Sequence, residues 1–258
     1  MPLDESREGH RKRLREKFTG SGLSGFADYE IVELLLTLGS PRKDCKKQAK
    51  EAIKRFKSLR GVLEASAEEL RQIDGIGPNN SFGIKLVLEV AGAYLKEKII
   101  DKPIYSSAQG IFDYLYHTMR GLKKEVFKIL YLNSQNQVID TADLFVGTVN
   151  SSAVSPREVM ESAIKHNAAS LIFVHNHPSG DTEPSRSDKE VTRDLVFAAA
   201  IMQTTVLDHI IIGNNIYFSF AGEGLIELYE TDFFSLRMKG ASEAKRRIYR
   251  AGLFGGRD

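Results

Sequence analysis

The first hundred residues show the spacing of apolar side chains that is typical of α-helices. Within each of several segments, apolar residues recur three or four positions apart, and residues that break helices separate one segment from the next. This spacing lets each helix bury one apolar stripe. We therefore predict a small all-α domain over residues 1–100, with helices at residues 10–18, 28–36, 47–56 and 80–95 and a short helix that begins at Ser66.

The pattern changes after residues 96–103, a charged segment that ends in proline. Short runs of β-branched and aromatic residues, typical of strands, now mix with segments of helical spacing. Because strands and helices do not alternate strictly, the pattern indicates an α+β domain over residues 101–222, in which helices flank a mixed sheet. The predicted strands are residues 125–133, 138–145, 168–174, 205–212 and 216–220, and the predicted helices are residues 107–119, residues 187–202 and one that begins near Pro156.

Residues 223–258 form a C-terminal extension. A helix is predicted over residues 223–236, and a basic cluster at residues 245–250 precedes a glycine-rich end. Two interpretations of this cluster stay open: a mobile tail, because chain termini are often disordered, and a second contact for an acidic partner.

Composition limits the class of protein. The chain has 258 residues and one cysteine, Cys45, which excludes an internal disulfide framework and favours a reducing compartment. No apolar run reaches membrane-spanning length, and no apolar leader stands at the N-terminus, so we expect a cytoplasmic protein without a membrane segment. Residues 1–100 carry 19 Lys and Arg against 15 Asp and Glu. This small basic excess fits contact with nucleic acid, or simply a solvated basic face.

A glycine-rich turn is predicted between the helix that begins at Ser66 and the helix at residues 80–95. The turn reads Ile-Asp-Gly-Ile-Gly-Pro and includes Gly75 to Pro78. Its glycine spacing permits a tight turn whose amides point outward at a helix N-terminus, where they could hold a phosphate. The turn resembles a helix-hairpin-helix, a recurrent non-specific DNA-binding element. DNA contact near Gly75 to Pro78 and a purely structural hairpin are both open interpretations.

The stretch most specific for chemistry follows the predicted strand at residues 168–174. Side chains two apart on an extended chain point to one face, so His175 and His177 can present two imidazoles to one point. A turn-rich loop then leads to Ser185, the predicted N-cap of the next helix, with Asp188 three positions later. Asp188 could complete a set of three zinc ligands, which leaves the fourth position to water as in catalytic sites. Taken alone, Ser185 and Asp188 could equally be an ordinary helix cap.

These residues carry a family resemblance. His175, His177, Ser185 and Asp188 match the pattern His-x-His, seven residues, Ser, two residues, Asp. This pattern resembles the JAMM motif of MPN-type metalloproteases, and the fuller wording His-Asn-His-Pro-Ser-Gly-Asp resembles the bacterial RadC family, which carries a historical DNA-repair label. The resemblance implies a JAMM/MPN-like domain with a cytidine-deaminase-like layout. It also implies a Zn²⁺-dependent hydrolase that cleaves a peptide or isopeptide-like amide in a peptide or protein substrate.

The resemblance also implies the roles of two further residues. Glu125 stands at the start of a strand that follows a helix, the place of the general base in JAMM proteases. Ser185 is expected to stabilise the oxyanion of the tetrahedral intermediate. Glu125 could instead be an ordinary carboxylate at a strand edge, and Asp143 and Glu158 are the competing carboxylates.

His209 follows Asp208 on a predicted strand and could be mistaken for a further metal ligand. We interpret it as a buried, hydrogen-bonded histidine, because three metal ligands are already supplied.

A rival function stays open beside the hydrolase. The protein could be a DNA-associated binding module, in which the metal loop is structural or vestigial and the glycine-rich turn contacts DNA.

Overall fold

A computed structural model describes residues 5–40, 43–147, 149, 154–214 and 216–250. The chain divides into two compact units, Met1–Tyr94 and Leu95–Asp258. Within the described part of the chain, no helix combines the length and the apolar character needed to cross a bilayer.

The first unit is built from helices, as the spacing of apolar residues predicts. Apolar side chains between residues 32 and 84 meet in one core that includes Val32, Leu36, Ala52, Leu70 and Ile84. Ser66 forms the predicted capping box, in which its side chain accepts from the backbone N–H of Glu69. The helices are α1 (Glu5–Ser21), α2 (Asp28–Gly39), α3 (Lys46–Phe56), α4 (Leu59–Glu64), α5 (Ala67–Arg71) and α6 (Pro78–Ile99), of which the residues from Leu95 onward belong to the second unit.

The predicted glycine-rich turn joins α5 to α6. Gly75 has a φ of 87°, a left-handed conformation that favours glycine. The expectation that the turn's amides all face outward is wrong for Gly77, whose N–H donates to Oδ1 of Asn80 at 3.1 Å. Asn80 in turn donates from Nδ2 to the carbonyl of Leu36 at 2.7 Å. Its buried side chain therefore ties the turn to the end of α2, and contact of the turn with DNA stays a prediction.

The second unit confirms the predicted α+β class. Its elements are α7 (Ile104–Met119), β1 (Val126–Leu132), β2 (Val138–Val146), α8 (Pro156–Lys165), β3 (Ser170–Asn176), α9 (Arg186–Ile201), β4 (Thr205–Ile212), β5 (Tyr217–Ser219) and α10 (Leu225–Arg250). In the described part of this unit, the five strands form one sheet in the order β2-β1-β3-β4-β5. The sheet is mixed, because β3 and β4 are parallel whereas the other neighbours are antiparallel.

Helices cover both faces of this sheet. On one face, α7 packs against Leu130, Val174 and Ile212. On the other face, side chains of α8, α9 and α10 surround Phe127 and Phe173. Because neighbouring strand residues point to opposite faces, β3 sends His175 to the same face as Phe173.

The C-terminal extension differs from its prediction. α10 runs from Leu225 to Arg250, well beyond the predicted end at residue 236, so the basic residues 245–250 are helical. Whether they form a mobile tail or contact an acidic partner stays a prediction. The first turns of α10 supply Ile226 and Tyr229 to the core of the second unit. The glycine-rich residues 252–256 lie outside the described residues, as does Asn215 in the turn between β4 and β5.

We expect replacement of Asn80 by alanine to destabilise the helical unit by about 1–3 kcal/mol, because it leaves the amide of Gly77 and the carbonyl of Leu36 without their buried partner. Urea unfolding followed by circular dichroism measures this loss. The neighbouring Asn79→Ala is the control, since Asn79 is exposed. Equal stability of the two variants would contradict the role given to Asn80.

Candidate metal centre

The two histidines lie at the C-terminal end of β3, the central strand of the sheet. His175 is buried near its end, and His177 follows it by two residues. Between them, the Asn176 side chain is engaged elsewhere: its Oδ1 accepts from the N–H of Val126 at 2.8 Å and its Nδ2 donates to the carbonyl of Lys124 at 3.1 Å. Asn176 therefore points away from the two imidazoles, as predicted, and ties the end of β3 to the start of β1.

The N-terminal cap of α9 positions the carboxylate of Asp188. The hydroxyl of Ser185 accepts from the N–H of Asp188 at 3.1 Å, and Asp188 Oδ2 accepts from the N–H of Ser185 at 2.8 Å and from its hydroxyl at 2.6 Å. This is the predicted helix cap. It is compatible with a ligand role, because it holds the buried Asp188 carboxylate in one orientation while leaving Oδ1 outside the cap.

The structure brings His175, His177 and Asp188 to one point. The two Nε2 atoms lie 3.0 Å apart. Nε2 of His175 lies 3.3 Å from Oδ1 of Asp188, and Nε2 of His177 lies 3.5 Å from Oδ2. Zinc bonds of about 2.0–2.1 Å at tetrahedral angles separate neighbouring ligand atoms by about 3.3 Å. The three side chains thus have the spacing of ligands around one small cation, and among the described residues they are the group that could hold a metal.

The proton on His177 supports the same conclusion. Its Nδ1 lies 2.8 Å from the carbonyl oxygen of Asp181. Because a carbonyl can only accept, Nδ1 carries a proton. Nε2, which faces Asp188 and His175, is therefore the nitrogen of His177 that can bind a metal once it is deprotonated.

Charge around the site favours an ionised carboxylate. Burial opposes ionisation of Asp188, but hydrogen bonds with His175, His177 and Ser185 hold its pKa well below its usual range. The hydrogen bond with Asp188 is the largest cause that raises the pKa of His177, and the charge of Glu125 also raises it. A metal ligand must be deprotonated, and the Asp188 carboxylate meets this requirement at neutral pH.

Glu125 lies beside this group. Phe127 pairs with His175 across β1 and β3. Continuing this antiparallel register by two residues brings Glu125 opposite His177, on the same face of the sheet. Its carboxylate Oε2 accepts from the backbone N–H of Val149 at 2.6 Å, which orients it. The electrostatic effect of Glu125 on His177 agrees with this placement.

The competing carboxylates lie elsewhere. Asp143 pairs with Nζ of Lys128 at 2.5 Å, and that ammonium also lies over the ring of Tyr114 on α7, the face opposite His175. Glu158 is exposed in the first turn of α8. Neither carboxylate joins the histidines.

His209 is buried and hydrogen-bonded, as the sequence analysis predicts. Its Nε2 lies 2.8 Å from Nδ1 of His175, and its Nδ1 lies 2.6 Å from the hydroxyl of Thr192. Burial lowers its pKa well below the usual value, so the ring is neutral. Sequence reasoning misses Thr192, although its position four residues after Asp188 places it on the same face of α9.

Comparisons with known proteins agree with this arrangement. A family model described as RadC-like JAB domain matches residues 105–225, and one described as UPF0758 N-terminal matches residues 9–82. A UPF0758 protein of Fusobacterium nucleatum is 42% identical over 230 residues, which are 86% of this chain and 99% of that protein. A UPF0758 protein of Pseudoalteromonas translucida is 41% identical over 215 residues, 83% of this chain and 96% of that protein. The chain therefore belongs to the UPF0758 family and carries a RadC-like JAB domain.

Proposed function

We propose that the second unit is a zinc-dependent hydrolase that cleaves amide bonds of peptide or isopeptide type. One observation carries the proposal: two imidazole nitrogens and a buried carboxylate converge within 3.0–3.5 Å of one another, with the carboxylate of Glu125 on the same face. Membership of the family with a RadC-like JAB domain supports a hydrolase of this class.

Zinc is the metal that this donor set fits best. Imidazole suits zinc, whereas magnesium and calcium prefer oxygen ligands, and three protein ligands leave one position open as in catalytic sites. Zinc bound by His175, His177 and Asp188 would lower the pKa of a coordinated water to about 7 and polarise a substrate carbonyl.

Glu125 would serve as the general base. Its carboxylate accepts one proton from the attacking water and later returns this proton to the leaving amine, so that an amide and a water become a carboxylic acid and an amine. The N–H of Val149 holds Oε2 in place before the reaction, which reduces the reorganisation needed for proton transfer. Such a positioned base typically contributes about 10²–10⁴-fold to the rate.

Ser185 would stabilise the oxyanion. Its hydroxyl donates to Asp188 Oδ2 in the structure, so it must exchange this bond for one to the substrate oxygen during the reaction. The backbone N–H of Ser185 still donates to the same Oδ2 after the exchange, which keeps the carboxylate in place. One such oxyanion donor is typically worth about 3 kcal/mol of the barrier.

We expect the purified protein to bind one zinc ion per chain. Asp188→Asn is expected to weaken zinc affinity by more than about 100-fold, because it removes a charged ligand. Loss of a residue that only hydrogen-bonds to a ligand typically costs about 10–100-fold. Zinc content by mass spectrometry and competition with a chromophoric chelator measure both quantities. Asp143→Asn is the matched control, since Asp143 pairs with Lys128 on the opposite face. Equal zinc affinity of the two variants would refute the ligand assignment.

We expect Glu125→Gln to retain zinc but to lose hydrolysis by about 10²–10⁴-fold, because the amide cannot accept the proton. A peptide library digested with the zinc-loaded protein and analysed by mass spectrometry identifies cleaved bonds and their rates. Glu158→Gln, the same change at an exposed carboxylate, is expected to keep full activity. Unchanged cleavage by Glu125→Gln would exclude Glu125 as the base, and zinc-loaded protein that cleaves no peptide or isopeptide bond would contradict the proposed function.

A further inference from the structure

A continuous chain of buried hydrogen bonds connects two of the candidate ligands, Asp188 and His175. The hydroxyl of Thr192 donates to the backbone carbonyl of Asp188 at 2.5 Å. The same hydroxyl lies 2.6 Å from Nδ1 of His209, and Nε2 of His209 lies 2.8 Å from Nδ1 of His175. Thr192 and His209 are both 0% exposed. The chain therefore begins at one candidate ligand, Asp188, and ends at another, His175.

The hydrogen-bond partners along this chain determine which ring nitrogen of His209 and of His175 carries a proton. A carbonyl has no proton to give, so the close contact with Asp188 uses the single proton of the Thr192 hydroxyl. The hydroxyl must then accept from Nδ1–H of His209. The buried ring of His209 packs among the rings of Phe127, Phe173 and Phe220, and its two nitrogens face Thr192 and His175. The ring is therefore neutral and its Nε2 is an acceptor.

His175 is the last residue of this chain of hydrogen bonds. Its Nδ1 faces the acceptor Nε2 of His209 and therefore carries a proton. Nε2 is therefore the nitrogen of His175 that is left for a metal. That atom lies 3.0 Å from Nε2 of His177 and 3.3 Å from Oδ1 of Asp188.

We infer that Thr192 and His209 are positioning residues that hold His175 in the one tautomer able to bind a metal through Nε2. The inference rests on the proposed function, and it adds residues outside the ligand set. The two residues also tie the ligands to the scaffold, because His209 lies on β4, Thr192 on α9 and His175 on β3. Partners of this kind fix ring orientation as well as tautomer, and their loss typically costs 10–100-fold in metal affinity.

If Thr192 and His209 served only to fill the core, their side chains would not need to be polar. The site of Thr192 and His209 is wholly buried among apolar side chains, where a valine and an aromatic residue would pack without the cost of burying polar groups. The polar chain is complete along its length, as a buried polar network must be if it is to avoid that cost.

Thr192→Val tests the inference, because valine keeps the shape and removes the hydroxyl. His209 then loses the acceptor for its Nδ1–H and favours the opposite tautomer, which would turn His175 away from metal binding. We expect the zinc dissociation constant, measured with a competing chelator, to rise by about 10–100-fold. Thr192→Ser restores the hydroxyl and is expected to restore the affinity.

The matched control is Thr118→Val. Thr118 also donates its hydroxyl to the carbonyl four residues earlier in a helix, that of Tyr114, at 2.8 Å, but the partners of this hydroxyl are backbone carbonyls rather than an imidazole. This variant is expected to keep the wild-type zinc affinity. If Thr192→Val binds zinc as tightly as Thr118→Val, the inference is wrong.

A second readout needs neither zinc nor a variant. Long-range ¹H–¹⁵N correlation of histidine-labelled, metal-free protein reports which ring nitrogen carries the proton. We expect a proton on Nδ1 of His175, and an unprotonated Nδ1 would overturn the inference. The two proposals can fail separately: absence of zinc binding by the wild-type protein refutes the proposed function, whereas the tautomer of His175 is measured without metal.

Discussion

The second unit is organised around one electrostatic constraint: the Nε2 atoms of two imidazoles and one carboxylate face the same small space. Nε2 of His175 and Nε2 of His177 are 3.0 Å apart, a distance at which two lone pairs repel unless a proton or a cation lies between them. The carboxylate of Asp188 adds negative charge in a buried position. Burying such a group is costly without a compensating positive charge. The local structure is therefore best satisfied by a bound cation.

Several residues orient the three candidate ligands and also stabilise the fold. The Ser185 cap begins α9 and orients Asp188, and Asn176 separates the two histidines while joining β3 to β1. Thr192 and His209 hold the far side of the His175 ring. Asn176, Thr192 and His209 each link two elements, so the geometry of the site depends on contacts that also join the strands and α9.

Much of this arrangement is predictable from sequence, because it depends on local spacing. The period of apolar residues predicts most helices and strands, and the two-residue spacing of His175 and His177 with a capped Asp188 predicts which side chains can meet. Long-range partners are different. The bond between His175 and His209 spans 34 residues, and the bond from Asn80 to Leu36 spans 44, so neither leaves a local pattern. Glu125 is predicted only through a family resemblance, since its place opposite His177 depends on strand register.

The most direct test of the account is where zinc binds. Crystals of the zinc-loaded protein, measured at the zinc absorption edge, give an anomalous difference map in which the metal alone stands out. The account predicts one strong peak per chain, about 2.0–2.2 Å from Nε2 of His175, Nε2 of His177 and a carboxylate oxygen of Asp188. A peak at other side chains, or zinc-loaded crystals in which these three atoms surround no metal, would contradict it.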